Sequence, residues 1–126
     1  MDSANVQVLR QLEEHFNGRN LDAYLEPLDP AVEWHVSPED PDTTVHHGRE
    51  QVRVYLEGWV DAFADLRIQT EVMSEAGDRV LTMIRFTGRG TGSETPLDER
   101  VSFLFSLRAG RLTRVEDLGR AQASTK

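Results

Sequence analysis

Residues 46–75 read HHGREQVRVYLEGWVDAFADLRIQTEVMSE, and the hydrophobic period changes partway along. From Arg49 to Phe63 the apolar positions Val52, Tyr55, Leu56, Trp59 and Phe63 recur at helical spacing, which predicts a helix with an aromatic stripe. From Leu66 the pattern is that of a strand over residues 66–75. Gly77-Asp78 then reads as a hairpin turn into RVLTMIRFTGRG at 79–90.

The strand pattern continues downstream. GTGSETPLDE (90–99) reads as a loop or as the fraying end of a long strand. ERVSFLFSL (99–107) alternates, with Val101, Phe103, Phe105 and Leu107 on one face. Ala109-Gly110 turns it into RLTRVEDLG (111–119), and residues 121–126 read as a disordered tail. Upstream, residues 3–18 carry Val6, Leu9, Leu12 and Phe16 at helical spacing, with Ser3 as the cap and Gly18 as the stop. A short second helix has Asn20 as its cap and contains Leu21, Tyr24, Leu25 and Leu28, with Pro30 ending it. VEWHV (32–36) alternates as a strand, and SPEDPDTTVHH (37–47) reads as an exposed loop. Helices first and consecutive hairpins afterwards predict one α+β domain over 1–120, with the helices on one face of a mainly antiparallel sheet.

Composition narrows the function. The chain has 126 residues, 38% of them hydrophobic, which suits one domain with a core. No run approaches a membrane span, and the polar, acidic start lacks the plan of a secretory signal, so a cytoplasmic protein is expected. The absence of cysteine removes disulfides, thiolate metal sites and cysteine nucleophiles. A net charge of −8 argues against nucleic acid and anionic lipid as partners. GRGTGS at 88–93 lacks the strand-loop-helix context of a phosphate-binding loop, and no nucleophile elbow is present, so no cofactor is expected.

The element order, together with Asn20-Leu21-Asp22, Val32-Glu33-Trp34, His47-Gly48-Arg49-Glu50, Gly77-Asp78 and Gly110-Arg111-Leu112, resembles the SnoaL-like polyketide cyclases. These belong to the nuclear transport factor 2-like superfamily, with the ketosteroid isomerases and limonene epoxide hydrolases. The resemblance spans roughly residues 5–120. It implies a cone-shaped barrel in which three N-terminal helices pack on a curved sheet around an internal cavity. It also implies dimerisation through the outer face of the sheet. Fold does not fix chemistry, so each catalytic pattern is tested on its residues. The three ketosteroid isomerase positions fall on Leu12, Trp34 and Phe103, none of which takes a proton, and that activity is rejected. Of the epoxide hydrolase pattern, Arg85 supplies the arginine without its aspartate partner. Asp117, in RVEDLG, matches the acid that hydrolases and SnoaL-type cyclases place on the last strand.

The candidate catalytic residues are therefore Asp117 as acid or base, Arg85 as its partner and His15 as a second base from the first helix. Arg85 shares a strand face with Leu81 and Met83, opposite Val80, Thr82, Ile84 and Phe86, and both faces are too apolar for alternation to name the inner one. An Asp117 at the barrel rim, paired with Arg114 or Arg120, is the structural alternative. Trp34, Tyr55, Trp59, Phe63, Met83 and Phe103 are the candidate ligand wall, although such a stripe is more often core. His35, His46 and His47 with Glu33, Asp40 and Asp42 match no metal-ligand spacing, and no metal is expected. The partners expected are a small apolar molecule and a second copy of the chain, because a sheet with apolar side chains on both faces leaves one face uncovered. The competing expectation is a binding or dimerisation module without catalysis.

Overall fold

The computed structural model describes residues 3–36, 44–93 and 95–120. The predicted tail, and the loop up to residue 43, lie outside the described residues. Helix α1 spans Ala4–Asn17, and the Ser3 side chain accepts from the Val6 N–H at its start. Leu9, Leu12 and Phe16 form its buried stripe, and the Gly18 N–H closes onto the Glu14 carbonyl. Helix α2 spans Leu21–Leu25, capped by the Asn20 side chain accepting from the Ala23 N–H. It ends before Leu28, which the sequence reading had placed inside the helix. Pro27 is the reason: it has no N–H with which to continue the helical ladder.

Leu28 instead opens strand β1 (Leu28–His35) and is fully buried there. Strand β2 (Val45–His47) pairs antiparallel with β1, so the end of the expected loop is sheet. Helix α3 spans Gly48–Ala62, and Gly48 enters it at φ 83°, a conformation that suits glycine. Strands β3 (Phe63–Ala76), β4 (Arg79–Gly90), β5 (Pro96–Arg108) and β6 (Arg111–Arg120) follow. Strand β5 begins three residues before the expected Glu99: Leu97 continues the alternation of Val101 and Phe103 and pairs with Gly88.

The sheet order is β2-β1-β6-β5-β4-β3, antiparallel except for the parallel β1–β6 pair. Its two end strands are not joined by a ladder among the described residues, so the sheet is open where a barrel was expected. Register shifts in β3 at 64/67 and 70/72, and between β5 and β6 at 101/103, bend the strands. A Cβ at Gly88 would meet the Ala64 carbonyl at 3.1 Å and Leu66 Cα at 3.2 Å, so the first of these bends needs glycine opposite it. The core joins Leu9, Leu12 and Phe16 of α1, Val52 and Leu56 of α3, and the concave face of the sheet, where Val80, Phe105, Leu107 and Val115 point inward.

An edge strand leaves unpaired backbone groups, and α1 covers those of β3. Asn17 donates to the Ile68 carbonyl and accepts from the Ile68 N–H, both at 2.9 Å, and Glu13 accepts from the Thr70 N–H at 2.7 Å. Asn17→Ala removes a donor and an acceptor at once. It is expected to lower unfolding free energy by about 1–3 kcal/mol in urea melts. A loss under about 0.5 kcal/mol would mean that water replaces the side chain without cost.

Candidate functional site

Helices α1 and α3 and the concave face of the sheet enclose a pocket of about 310 Å³. A chain of rings runs through its wall, from His46, which backs Tyr55 outside the lining, to Phe63. His46 lies 4.6 Å from Tyr55, and Tyr55 5.9 Å from Trp34. Trp34 is 6.4 Å from Phe103, and Phe103 6.0 Å from Phe86. Phe86 is 6.3 Å from Trp59, which stacks on Phe63 at 5.7 Å. The helical period of α3 and the two-residue period of β1, β4 and β5 aim the rings other than His46 at one space. Burial lowers the pKa of His46 below its ordinary value, and His47 adds to this, so the ring against Tyr55 stays neutral at pH 7. Burial likewise pushes the Tyr24 phenol upward, which keeps it protonated.

Polar groups in the lining are few. Thr82 is buried, but its hydroxyl donates to the Phe103 carbonyl at 3.1 Å. Glu13 is engaged with β3. Arg120 and Glu99 pair at 3.2 Å and are the exposed and half-buried ends of one bridge. Asp117 is half-buried and stands opposite Phe103 in the β5–β6 register. Its Oδ1 accepts from the Gly119 N–H at 2.8 Å, and Gly119 adopts φ 94° within the local register shift. This bond fixes the carboxylate against its own strand, and Asp117 lines the pocket.

Of the residues singled out in the sequence, Asp117, Trp34, Tyr55, Trp59, Phe63 and Phe103 line this pocket together. Arg85 does not join them. It lies on the convex face of the sheet and donates to both oxygens of Asp98 at 2.8 and 2.7 Å, which holds the Asp98 carboxyl below its usual range. Met83 shares that convex face, because Thr82 and Ile84 take the inward positions of β4. His15 lies outside the lining, on the flank of α1 next to the buried Phe16. The sequence reading omitted Phe86, Leu97, Glu99 and Arg120 from the wall. Leu97 and Glu99 were legible as the continuation of the β5 alternation, and Phe86 follows once Ile84 is known to face inward.

The stripe on α3 divides into core and wall. Val52 and Leu56 are buried, whereas Trp59 is 37% exposed. Truncating a fully packed tryptophan costs roughly 3–5 kcal/mol. Trp59→Ala is expected to fall well below that range in denaturant melts, and a full-size loss would place Trp59 in the core instead.

Among the described residues, no group of three or more metal-ligating side chains is placed to hold a metal ion, and no helix is long and apolar enough to cross a membrane. His35 Nε2 sits 2.9 Å from Glu33 Oε1 on the outer side of β1. Asp40 and Asp42 lie outside the described residues.

Comparison with known proteins places this geometry. No curated protein matches the sequence. A protein assigned as a SnoaL-like polyketide cyclase from Jannaschia sp. CCS1 superposes with a TM-score of 0.80 at 20% identity, covering 94% of this chain and 90% of that one. TerC, co-crystallised with polyporic acid, gives 0.79 at 21% identity over 93% and 92% of the two chains. A protein of ketosteroid isomerase-like fold from Catenulispora acidiphila DSM 44928, solved with trimethylamine, gives 0.77 at 18% identity over 87% and 82%. At such identities the likeness establishes the fold alone. The sequence itself goes further, for the family model of the SnoaL-like domain matches residues 8–115, and the chain belongs to that family.

Proposed function

We propose that the pocket binds a small, largely apolar organic molecule, and that Asp117 acts on it as an acid or base in a cofactor-free cyclisation, isomerisation or hydrolysis. One observation carries the reading: the Asp117 carboxylate stands opposite Phe103 in a wall made mostly of aromatic and aliphatic side chains, around a space of about 310 Å³. That volume falls within the range of small-molecule sites, roughly 300–1,000 Å³. A carboxylate beside apolar surface is a group whose proton affinity the surroundings can tune. Two structural neighbours hold small organic molecules, polyporic acid in one and trimethylamine in the other, which is in keeping with this use of the fold. The setting we propose is the cytoplasm. Native mass spectrometry of the purified protein tests the reading by looking for a retained small molecule. A retained organic mass supports it; protein that emerges empty and takes up no apolar compound contradicts it.

A second reading is a binding module without catalysis. The position of Arg85 favours it, because the arginine that would have tuned Asp117 is engaged with Asp98 on the other side of the sheet.

We further propose a homodimer built through the convex face. Val72 and Leu81 are 51% and 46% exposed there, beside the half-buried Met83. The pairs Arg85–Asp98 and Arg100–Glu71 lie alongside them on the same face. Apolar side chains flanked by paired charges make a surface that gains from being covered. Sedimentation at micromolar concentration is expected to give twice the monomer mass, and a monomer there would refute the dimer.

A further inference from the structure

Trp34 is 6% exposed and lines the pocket, yet its indole Nε1–H has no hydrogen-bond acceptor. It is the buried side-chain donor left unsatisfied among the described residues. Leaving such a donor unpaired is costly, and folded proteins keep few of them. The ring is held from both sides, with Tyr55 at 5.9 Å and Phe103 at 6.4 Å. These neighbours supply π faces and edges, not a carbonyl. Water does not reach the nitrogen either. A molecule entering the pocket therefore reaches the nitrogen only by displacing a neighbour such as Tyr55 or Phe103.

The position of Trp34 relative to Asp117 adds to this. Trp34 pairs with Val115 in the parallel β1–β6 register, and Asp117 follows two residues later on the same face of β6. Phe103, which touches the Trp34 ring, stands directly opposite Asp117 in the next strand. The donor and the carboxylate thus belong to one patch of wall, diagonal to each other across two adjacent strands. A molecule that satisfies the indole would lie along the same stretch of wall as Asp117.

We propose that the Trp34 Nε1–H is the donor that holds an oxygen of the bound molecule, so that the pocket selects a cyclic, mostly apolar compound bearing a carbonyl or phenolic oxygen. This rests on the pocket reading above and specifies its ligand class. Trp34 acts as a specificity residue: it fixes which edge of the ligand faces Asp117. A cation or a pure hydrocarbon packs on the rings but leaves the indole unsatisfied, and so forgoes the hydrogen bond that an oxygen gains.

The test uses 9-fluorenone and fluorene, two tricyclic compounds of nearly one outline that differ by a carbonyl oxygen. The chain has two tryptophans, so its ¹H–¹⁵N spectrum carries two indole resonances, and Trp59→Phe assigns the one from Trp34. Fluorenone is expected to bind about tenfold more tightly than fluorene, the worth of one hydrogen bond in a dry site. It should also move the Trp34 indole proton downfield, which fluorene should not do. Trp34→Phe keeps a ring and removes the donor; it should erase the preference between the two compounds. If that variant fails to fold, the wild-type spectra still decide. Equal affinity for both compounds, with the Trp34 indole proton responding alike, overturns the proposal and leaves the pocket reading standing. Failure of both compounds to bind overturns the two together.

Discussion

Asp117→Asn is expected to fold like the wild-type chain, to bind ligand, and to lose turnover by about 10²–10⁴-fold, the usual weight of a general acid–base group. The substitution suits the site because the Gly119 N–H bonds to Oδ1, an atom that asparagine retains. The local register shift and the glycine at φ 94° therefore keep their anchor. What is lost is the charge and the capacity to take or give a proton. Steady-state turnover on a compound identified through the ligand search is the readout, with a thermal melt as control. Unchanged turnover in a folded variant removes Asp117 from the chemistry and leaves the binding-module reading in possession of the pocket.

Phe103→Ala is expected to have the largest effect on stability, a loss of roughly 3–5 kcal/mol. Phe103 is 6% exposed and is the ring on which the wall converges, with Trp34, Phe86 and Phe105 at 6.4, 6.0 and 6.0 Å. Its removal enlarges a space that is already open, so the neighbours have little to collapse onto. The comparison with Trp59→Ala is informative because both residues line the same pocket. If the two variants lose equal stability in denaturant melts, the division of the wall into a packed inner part and an open outer part is wrong.

Much of this arrangement could be read before the structure. The stripe Val52, Tyr55, Leu56, Trp59 and Phe63, followed by strands of alternating character, sufficed for the α+β class and for the side of α3 that faces the sheet. The rings of Trp34 and Phe103 were legible from strand alternation and that of Tyr55 from the helical stripe, whereas Asp117 stands out in the sequence through the family resemblance. Strand β4 was not, since Val80, Ile84 and Phe86 oppose Leu81 and Met83, and alternation carries no sign when both faces are apolar. Arg85 could be placed only once the β4–β5 register set it across from Arg100 and beside Asp98. The boundary of α2 was missed for a different reason: Pro27, not Pro30, is the residue that stops it, and Leu28 thereby changes from helix to strand. β2 is too short, at three residues, to show a period of its own. The orphan Trp34 indole is invisible to sequence, for it depends on which atoms surround one nitrogen.

The central claim is that an aromatic pocket carrying Asp117 takes up a small, largely apolar molecule, and chemical-shift mapping with fluorene tests it most directly. Saturable binding of one molecule per chain is expected, with perturbations gathered at Tyr55, Trp59, Phe86, Val101 and Phe103 around the open space. Perturbations gathered instead at Val72, Leu81 and Leu118, the exposed apolar side chains away from it, or a response that never saturates, would contradict the account.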